Sequence, residues 1–319
     1  KYQDIYPINF DNDRDGIYNE VLRVVKHWIS FGVKIFRVDN PHTKPVNFWE
    51  WLINEINAEF PDVVFLAEAF TRPAMMHALG KVGFQQSYTY YTWRNTKDEL
   101  QAYLTELAYE SADFFRPNLW VSTPDILTQF LQYGGPAGHK LRATIAATAS
   151  PSWGMYAGYE LVESVARPGA EEHIDSEKYE YKPRDWAAAE KSGRSIAPHI
   201  TKLNAIRKAH PALLQLRNIE FHHTDDSSIL AFSKHLAAEY SPTGKSDTVI
   251  VVVNVDPHSV RETTVHLDLA KLGLPYESKF EVHDLMTDEK WIWSADNYVR
   301  LDSFVESAHV LHVTKIVKG

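Results

Sequence analysis

The chain has 319 residues, enough for about two domains, with 44% hydrophobic and 24% charged residues, an ordinary globular balance. A net charge of −9 argues against nucleic acid or an anionic membrane as a partner, and no run of about 18 apolar residues offers a membrane span. Zero cysteines exclude disulfides and thiolate zinc sites and fit a cytoplasmic protein. The aromatic fraction, 13%, is high; most rings belong to a core, and a saccharide-binding cleft would also use them. Lys1-Tyr-Gln-Asp-Ile-Tyr-Pro7 is neither an initiator methionine nor a signal peptide, so the chain is expected to begin inside a larger polypeptide.

Asp11-Asn-Asp-Arg-Asp-Gly16 has the opening of a calcium loop, but the twelfth position is Leu22 where a bidentate glutamate is needed, so a polar loop is expected. Val21, Val24, Val25 and Trp28 recur at helical spacing, predicting a helix over 18–31 that Gly32 ends. Ile35-Phe-Arg-Val-Asp39 is then a strand with Ile35, Arg37 and Asp39 on one face, and Asn40-Pro41 cannot continue it. An arginine two residues before a strand-terminal aspartate lies beside it and aims the carboxylate, either as a nucleophile or as a structural ion pair.

A second helix is predicted over 48–60, ended by Pro61, and Val63-Val-Phe-Leu-Ala-Glu68 reads as a strand buried on both faces and ending in an acid. A lone glutamate there costs free energy unless it is used or paired. A short helix over 75–79, a strand over 84–91 and a Thr96–Glu99 capping box opening a helix over 100–107 follow. Residues 118–125 form another apolar strand whose end carries Asp125, then a helix over 141–149 and a strand with a glycine turn over 152–160. The polar stretch 163–194 is too long for a connector and is expected to be a functional excursion; 196–213 returns to helix. Beyond about residue 215 the pattern changes to short strands, predicted at 229–233, 248–255, 263–267, 279–284, 298–302 and 310–313. His222-His223 is expected at a surface rather than on a metal. No P-loop, dinucleotide fingerprint, zinc-protease motif or internal repeat occurs.

The expected architecture is α/β plus all-β: residues 1–214 as the second half of a (β/α)8 barrel, and 215–319 as an antiparallel β-sandwich. Acids at the ends of several parallel strands converge on one face of such a barrel, whereas a doubly wound sheet gathers two more naturally than three. Five strands cannot close the barrel, so the missing ones are expected upstream of Lys1, and alone the chain would expose a sheet edge and apolar surface. Three carboxylates with an arginine suit glycosidic chemistry, in which a retaining enzyme needs a nucleophile and an acid/base about 5–5.5 Å apart.

At this point the residues resemble the α-amylase superfamily, glycoside hydrolase family 13. Its second signature is similar to Ile35-Phe-Arg-Val-Asp39, its third to Leu66-Ala-Glu68, its fourth to Trp120-Val-Ser-Thr-Pro-Asp125, and a late strand and turn to Trp153-Gly-Met-Tyr-Ala-Gly158. The resemblance implies Asp39 as nucleophile, Glu68 as general acid/base, Asp125 as transition-state stabiliser and Arg37 as partner of Asp39. The first signature is absent, in keeping with an upstream half. Pro124 stands where the amylase pattern has histidine, and Asn40-Pro41-His42 follows the nucleophile. With the first seven residues and Asp175-Ser-Glu-Lys178-Tyr179, these departures are similar to the GlgE-type maltosyltransferases.

That resemblance implies transfer of maltosyl units from α-maltose 1-phosphate to the non-reducing end of an α-1,4-glucan, with retention and without cofactor or metal. It implies Asn40 and Tyr2 at the donor phosphate, Lys178 and Tyr179 at the donor sugars, and a cytoplasmic homodimer. A hydrolase or trehalose-forming isomerase would carry the same three acids. A non-catalytic glucan-binding relative would have no need of all three.

Overall fold

The computed structural model describes residues 6–177 and 181–317. The chain divides into two compact units, residues 1–89 with 113–117, and residues 90–112 with 118–319. Among the described residues no helix is long and apolar enough to cross a membrane.

In the first unit, α1 (Arg14–Ser30) starts where the Asp13 carboxylate accepts the Gly16 amide at 3.1 Å, so the Asp-rich loop doubles as a helix cap. Gly32, at φ 90°, turns the chain out of the helix, a conformation glycine adopts without steric cost. There follow β1 (Ile35–Asp39), α2 (Val46–Glu59), β2 (Val64–Glu68), α3 (Pro73–Lys81) and β3 (Gln86–Tyr88). β1 and β2 run parallel in a register from Ile35 opposite Val64 to Asp39 opposite Glu68, and β3 joins β2 in parallel. Phe48, Leu52 and Ile56, four residues apart on one face of α2, bury themselves against Val63, Phe65 and Ala67. Each such side chain contributes about 1.5–3 kcal/mol by leaving water. On β1 the alternate residues Ile35, Arg37 and Asp39 face solvent, and Trp28, Phe31 and Ile35 stand exposed.

The strand expected over 84–91 is only three residues long. Beyond Tyr88 the chain enters a 3-10 turn, Tyr90–Trp93, that places Tyr91 in the second unit's interior. There the Tyr91 hydroxyl donates to the Arg142 carbonyl at 2.6 Å and the Arg142 guanidinium stacks 3.9 Å above its ring.

In the second unit, α4 (Lys97–Thr105) carries the expected capping box: Thr96 Oγ1 accepts the Glu99 amide at 3.3 Å, and Glu99 returns a carboxylate oxygen to the Thr96 amide at 3.1 Å. Thr96→Ala is expected to lower stability by about 1 kcal/mol, read as a shift in the urea midpoint. β4 (Pro117–Trp120) pairs in parallel with β5 (Trp153–Gly154). Between them α5 (Gln129–Ala149) is longer than expected. Its helical backbone is interrupted at Gly135, φ 55° and ψ −157°, ahead of Pro136, so two helical stretches meet at a kink there and the later one follows Gly134-Gly135-Pro136 as the sequence implies. After α6 (Trp186–Lys191), α7 (Ala197–Ala209) stops short of 213 because Pro211 drives His210 into an extended conformation.

The remaining strands are β6 (Ile219–Thr224), β7 (Ile229–Leu236), β8 (Asp247–Asn254), β9 (Val260–His266), β10 (Lys279–Asp284), β11 (Lys290–Trp293), β12 (Asp296–Asp302) and β13 (Ala308–Val317). They form one antiparallel sheet in the order β11-β10-β13-β8-β7-β6-β9-β12. Phe280 and Trp293 near one end share a core with Val265 and Leu301 near the other, so the sheet folds over on itself in the manner of a sandwich. β8 is buried on both faces, the reason its sequence is a continuous apolar run. β6 and β11 escape the sequence reading. His222 on β6 is buried, not at the surface: its Nε2 lies 2.8 Å from Ser233 Oγ, and burial pulls its pKa down to about 4.

Candidate active site

The parallel register of β1 and β2 makes Asp39 and Glu68 direct neighbours at the ends of their strands. Parallel neighbours lie about 4.8 Å apart, so the two acids leave adjacent backbones side by side. Arg37 joins them: its guanidinium lies 3.8 Å from an Asp39 carboxylate oxygen and 3.5 Å from one of Glu68. Two residues before Asp39, Arg37 shares its face of the strand, which is why one guanidinium reaches both acids.

The acids differ in setting. In this chain the Asp39 side chain, on the edge strand, is 71% exposed and that of Glu68, one strand further in, only 9%. The Asn40 amide donates to the Glu68 carbonyl at 3.0 Å and to its carboxylate at 3.3 Å. Asn40 does so from the left-handed region, φ 47°, which asparagine tolerates better than most residues. The turn Pro41–Thr43 that follows is pinned by the buried Trp49 indole, which donates to the Pro41 carbonyl at 2.8 Å.

Two neighbours complete the surroundings, of which Tyr88 escaped the sequence reading. Tyr88, at the end of β3, lies under the Arg37 guanidinium at 5.9 Å; burial raises its phenol pKa, with Arg37 opposing. His42, half-buried behind Asn40, has its pKa lowered by burial and by Lys44, against the pull of Asp39. Strand-end acids announce themselves in a sequence, whereas the Tyr88–Arg37 contact arises between distant segments.

Asp125 belongs to the second unit. It lies beyond β4 rather than at its end, in a tight turn where Thr123 and Ile126 exchange backbone hydrogen bonds at 3.2 Å. Pro124, which has no amide hydrogen, occupies the corner, and the Asp125 amide donates to Thr123 Oγ1 at 3.2 Å. The excursion packs back on the following loop. Glu171 accepts from the Trp93 indole at 2.9 Å and the Gln129 amide at 3.1 Å, and its carbonyl takes the Leu127 amide at 2.7 Å. Farther along, the buried Arg184 guanidinium bridges Glu163 at 2.9 Å and Glu177 at 3.1 Å, and Lys182 adds a contact to Glu163 at 3.1 Å. Burial raises the Glu163 carboxyl pKa, but Arg184 and Lys182 outweigh it and hold the group low. The described residues of the polar excursion therefore hold an internal charge cluster. Tyr2, Lys178 and Tyr179 lie outside the described residues.

Residues 221–313 match the family described as GLGE, C-terminal. Along nearly its whole length the chain is similar to alpha-1,4-glucan:maltose-1-phosphate maltosyltransferases: 54% identical over 316 residues to maltosyltransferase 2 of Streptomyces coelicolor, covering 99% of this chain and 46% of that protein. The chain belongs to the GlgE family. The enzymes of that name from Corynebacterium glutamicum, 56% identical over 97% of this chain and 45% of the relative, and Mycobacterium tuberculosis, 53% over 99% and 44%, agree. The chain thus spans under half the length of these family members and corresponds to their C-terminal part.

The fold is that of the α-amylases. An acarbose complex of the Geobacillus thermoleovorans α-amylase superposes with a TM-score of 0.70 at 16% identity, over 97% of this chain and 66% of that one. A maltotetraose complex of an Anoxybacillus pullulanase superposes at 0.68 and 15% identity, over 99% and 50%. The GlgE chain therefore carries the expected partial barrel and β-sandwich.

Proposed function

We propose that Asp39, Glu68 and Arg37 form the catalytic centre of a retaining maltosyltransferase that uses α-maltose 1-phosphate as donor and the non-reducing end of an α-1,4-glucan as acceptor. The observation that carries this reading is the Asp39–Glu68 register bridged by Arg37, in a chain whose relatives bear that activity's name. Carboxylates at the ends of neighbouring strands, both within reach of one guanidinium, favour the short-separation arrangement of retaining enzymes, about 5–5.5 Å, over the wider inverting one.

In the first displacement an Asp39 carboxylate oxygen attacks C1 of the donor. The C1–O bond to phosphate breaks with its electron pair on the phosphate oxygen, and Glu68 supplies a proton to the departing group. The product is a β-maltosyl ester on Asp39. In the second, Glu68 takes the proton of the acceptor's 4-hydroxyl, its oxygen attacks C1, and the Asp39 carboxylate departs. Asp125 is proposed, by resemblance, as the third carboxylate, whose role would be to stabilise the positively charged oxocarbenium-like transition state. The Asn40 amide already serves Glu68, so a phosphate contact from Asn40 falls to its side chain. Tyr2 is the other proposed phosphate contact, and Lys178 and Tyr179 are proposed to bind the donor sugars.

Glu68→Ala is expected to lower the transfer rate by about 10²–10⁴-fold, the usual worth of a positioned acid/base, while Asp39 remains able to form the ester. Mass spectrometry of the variant with donor alone should detect the maltosyl adduct. The reading itself is tested with the complete polypeptide and α-maltose 1-phosphate, with and without a malto-oligosaccharide, following phosphate and product length together. Chains that grow by two glucose units with matching phosphate support it. Free maltose as the main product would move the assignment to a hydrolase.

A further inference from the structure

On the β-sandwich, far along the chain from the acids, three adjacent strands bring one row of side chains into register. His223 of β6 is the direct partner of His266 of β9, and His266 is the direct partner of Asp296 of β12. Side chains opposite one another on neighbouring strands share a face, so the row His223–His266–Asp296 is set by the sheet itself. The turn after β6 adds Asp225, whose Oδ1 lies 3.5 Å from His223 Nε2 and 3.2 Å from His266 Nε2. On the far side of the same ring, His266 Nδ1 lies 2.7 Å from Asp296 Oδ1. The two imidazoles are stacked with centroids 5.4 Å apart.

We propose that His223, Asp225 and His266 bind a divalent transition-metal ion of the zinc class. A zinc ion with nitrogen and oxygen ligands at about 2.0–2.2 Å, arranged tetrahedrally, requires ligand atoms roughly 3.3–3.6 Å apart. The 3.5 Å separation falls in that range and the 3.2 Å one within about 0.1 Å of it, and all three ligand atoms lie within 4.8 Å of one another, so small side-chain rotations bring them onto one ion. Asp296 supplies the element that distinguishes a built site from a chance cluster. By accepting the Nδ1 proton it turns the Nε2 lone pair toward the Asp225 oxygen, and two acceptors at that distance need a positive charge between them, a proton or a metal ion. The ligands are solvent-accessible, with room for water as the fourth ligand. Neighbouring cations are engaged: Lys97 donates to the Thr224 and Asp226 carbonyls at 3.0 and 3.1 Å, and Arg261 pairs with Asp256 at 2.8 Å. A bound ion would fasten β6 to β9 close to where Lys97 of α4 holds the end of β6. The other histidine–aspartate cluster, His210, Asp247 and His312, is a structural tie instead, because the second Asp247 oxygen accepts the Ala212 amide at 2.9 Å.

The test is zinc titration of the full chain by calorimetry, with Co2+ absorption as a report of tetrahedral geometry. The His223→Ala/His266→Ala double variant, whose exposed positions spare the core, is expected to bind one equivalent fewer than the wild type. Asp296→Asn should weaken that equivalent by about 10–100-fold, the usual effect of removing a ligand's carboxylate partner. His210→Gln should leave it in place. Stoichiometry unchanged in the double variant, no stoichiometric zinc in the wild type, or loss confined to His210→Gln would each overturn the assignment.

Discussion

Asp39→Ala is expected to reduce maltosyl transfer by at least about 10⁴-fold, with no covalent adduct formed from the donor. The alanine removes the only atom proposed to bond to C1, so neither displacement can proceed by the double route. The fold should not suffer, because the contact of Asp39 with Arg37 is a long 3.8 Å. Arg37 keeps its neighbours Glu68 and Tyr88. A melting temperature within a degree or two of wild type, together with the lost rate, would assign the loss to chemistry. Burst release of phosphate by Asp39→Ala would sink the nucleophile assignment, because a burst requires the ester. Asp39→Asn is the sharper companion: it retains the shape and removes the charge, and should fall nearly as far.

The legible parts of this chain are those where one residue carries its own reason. Asp39 and Glu68 end apolar runs, and an acid at that place is unfavourable unless it has work or a partner, so both were named from sequence alone. β8 was visible because Val249 to Val253 is apolar without interruption, and the Thr96–Glu99 box because its two partners are local. What stayed hidden depends on partners far along the chain. The first half of α5 was masked by Gly134-Gly135-Pro136, whose usual meaning, a break, holds: Gly135 is non-helical, and a second helical stretch lies ahead of it. β6, Ile219-Glu-Phe-His-His-Thr224, looks too polar for a strand until β7 supplies Ser233 for His222 and β9 sets His266 beside His223. Asp125 was assigned to a strand end and lies in a turn beyond one, since Thr123 and Ile126 pair only after Pro124 has stopped the ladder. β7 was expected to end at Ser233; it runs on to Leu236 with Lys234 inside.

That residue, Lys234, should give the protein a pH-dependent stability that a single substitution removes. It is fully buried, and its Nζ donates to the Gln215 carbonyl at 2.6 Å and to the Ala149 carbonyl at 3.2 Å. Ala149 is the last residue of α5, where unsatisfied carbonyls give the helix end a partial negative charge that favours a cation. Arg207 attends the same end, donating to the Ser150 and Pro151 carbonyls at 2.9 and 2.6 Å, and its charge opposes a second one. Burial, reinforced by Arg207, pulls the Lys234 pKa from its ordinary 10.5 down to about 7. Between these values the unfolded chain holds a proton that the folded chain does not. This contribution to stability is therefore fully present above pH 10.5 and is lost as pH falls toward 7, at about 1.4 kcal/mol per unit. Lys234→Met fills a similar volume and has nothing to titrate. Urea unfolding of both proteins between about pH 7.5 and 9.5 should find wild type gaining on the variant by roughly 3 kcal/mol across the window, all other titrating groups cancelling in the difference. Parallel curves would mean that Lys234 stays an ammonium in the fold, held charged by the Ala149 and Gln215 carbonyls. In that case the variant's deficit would be constant, near the 1–3 kcal/mol typical of stranded buried acceptors, about equal at both ends of the window.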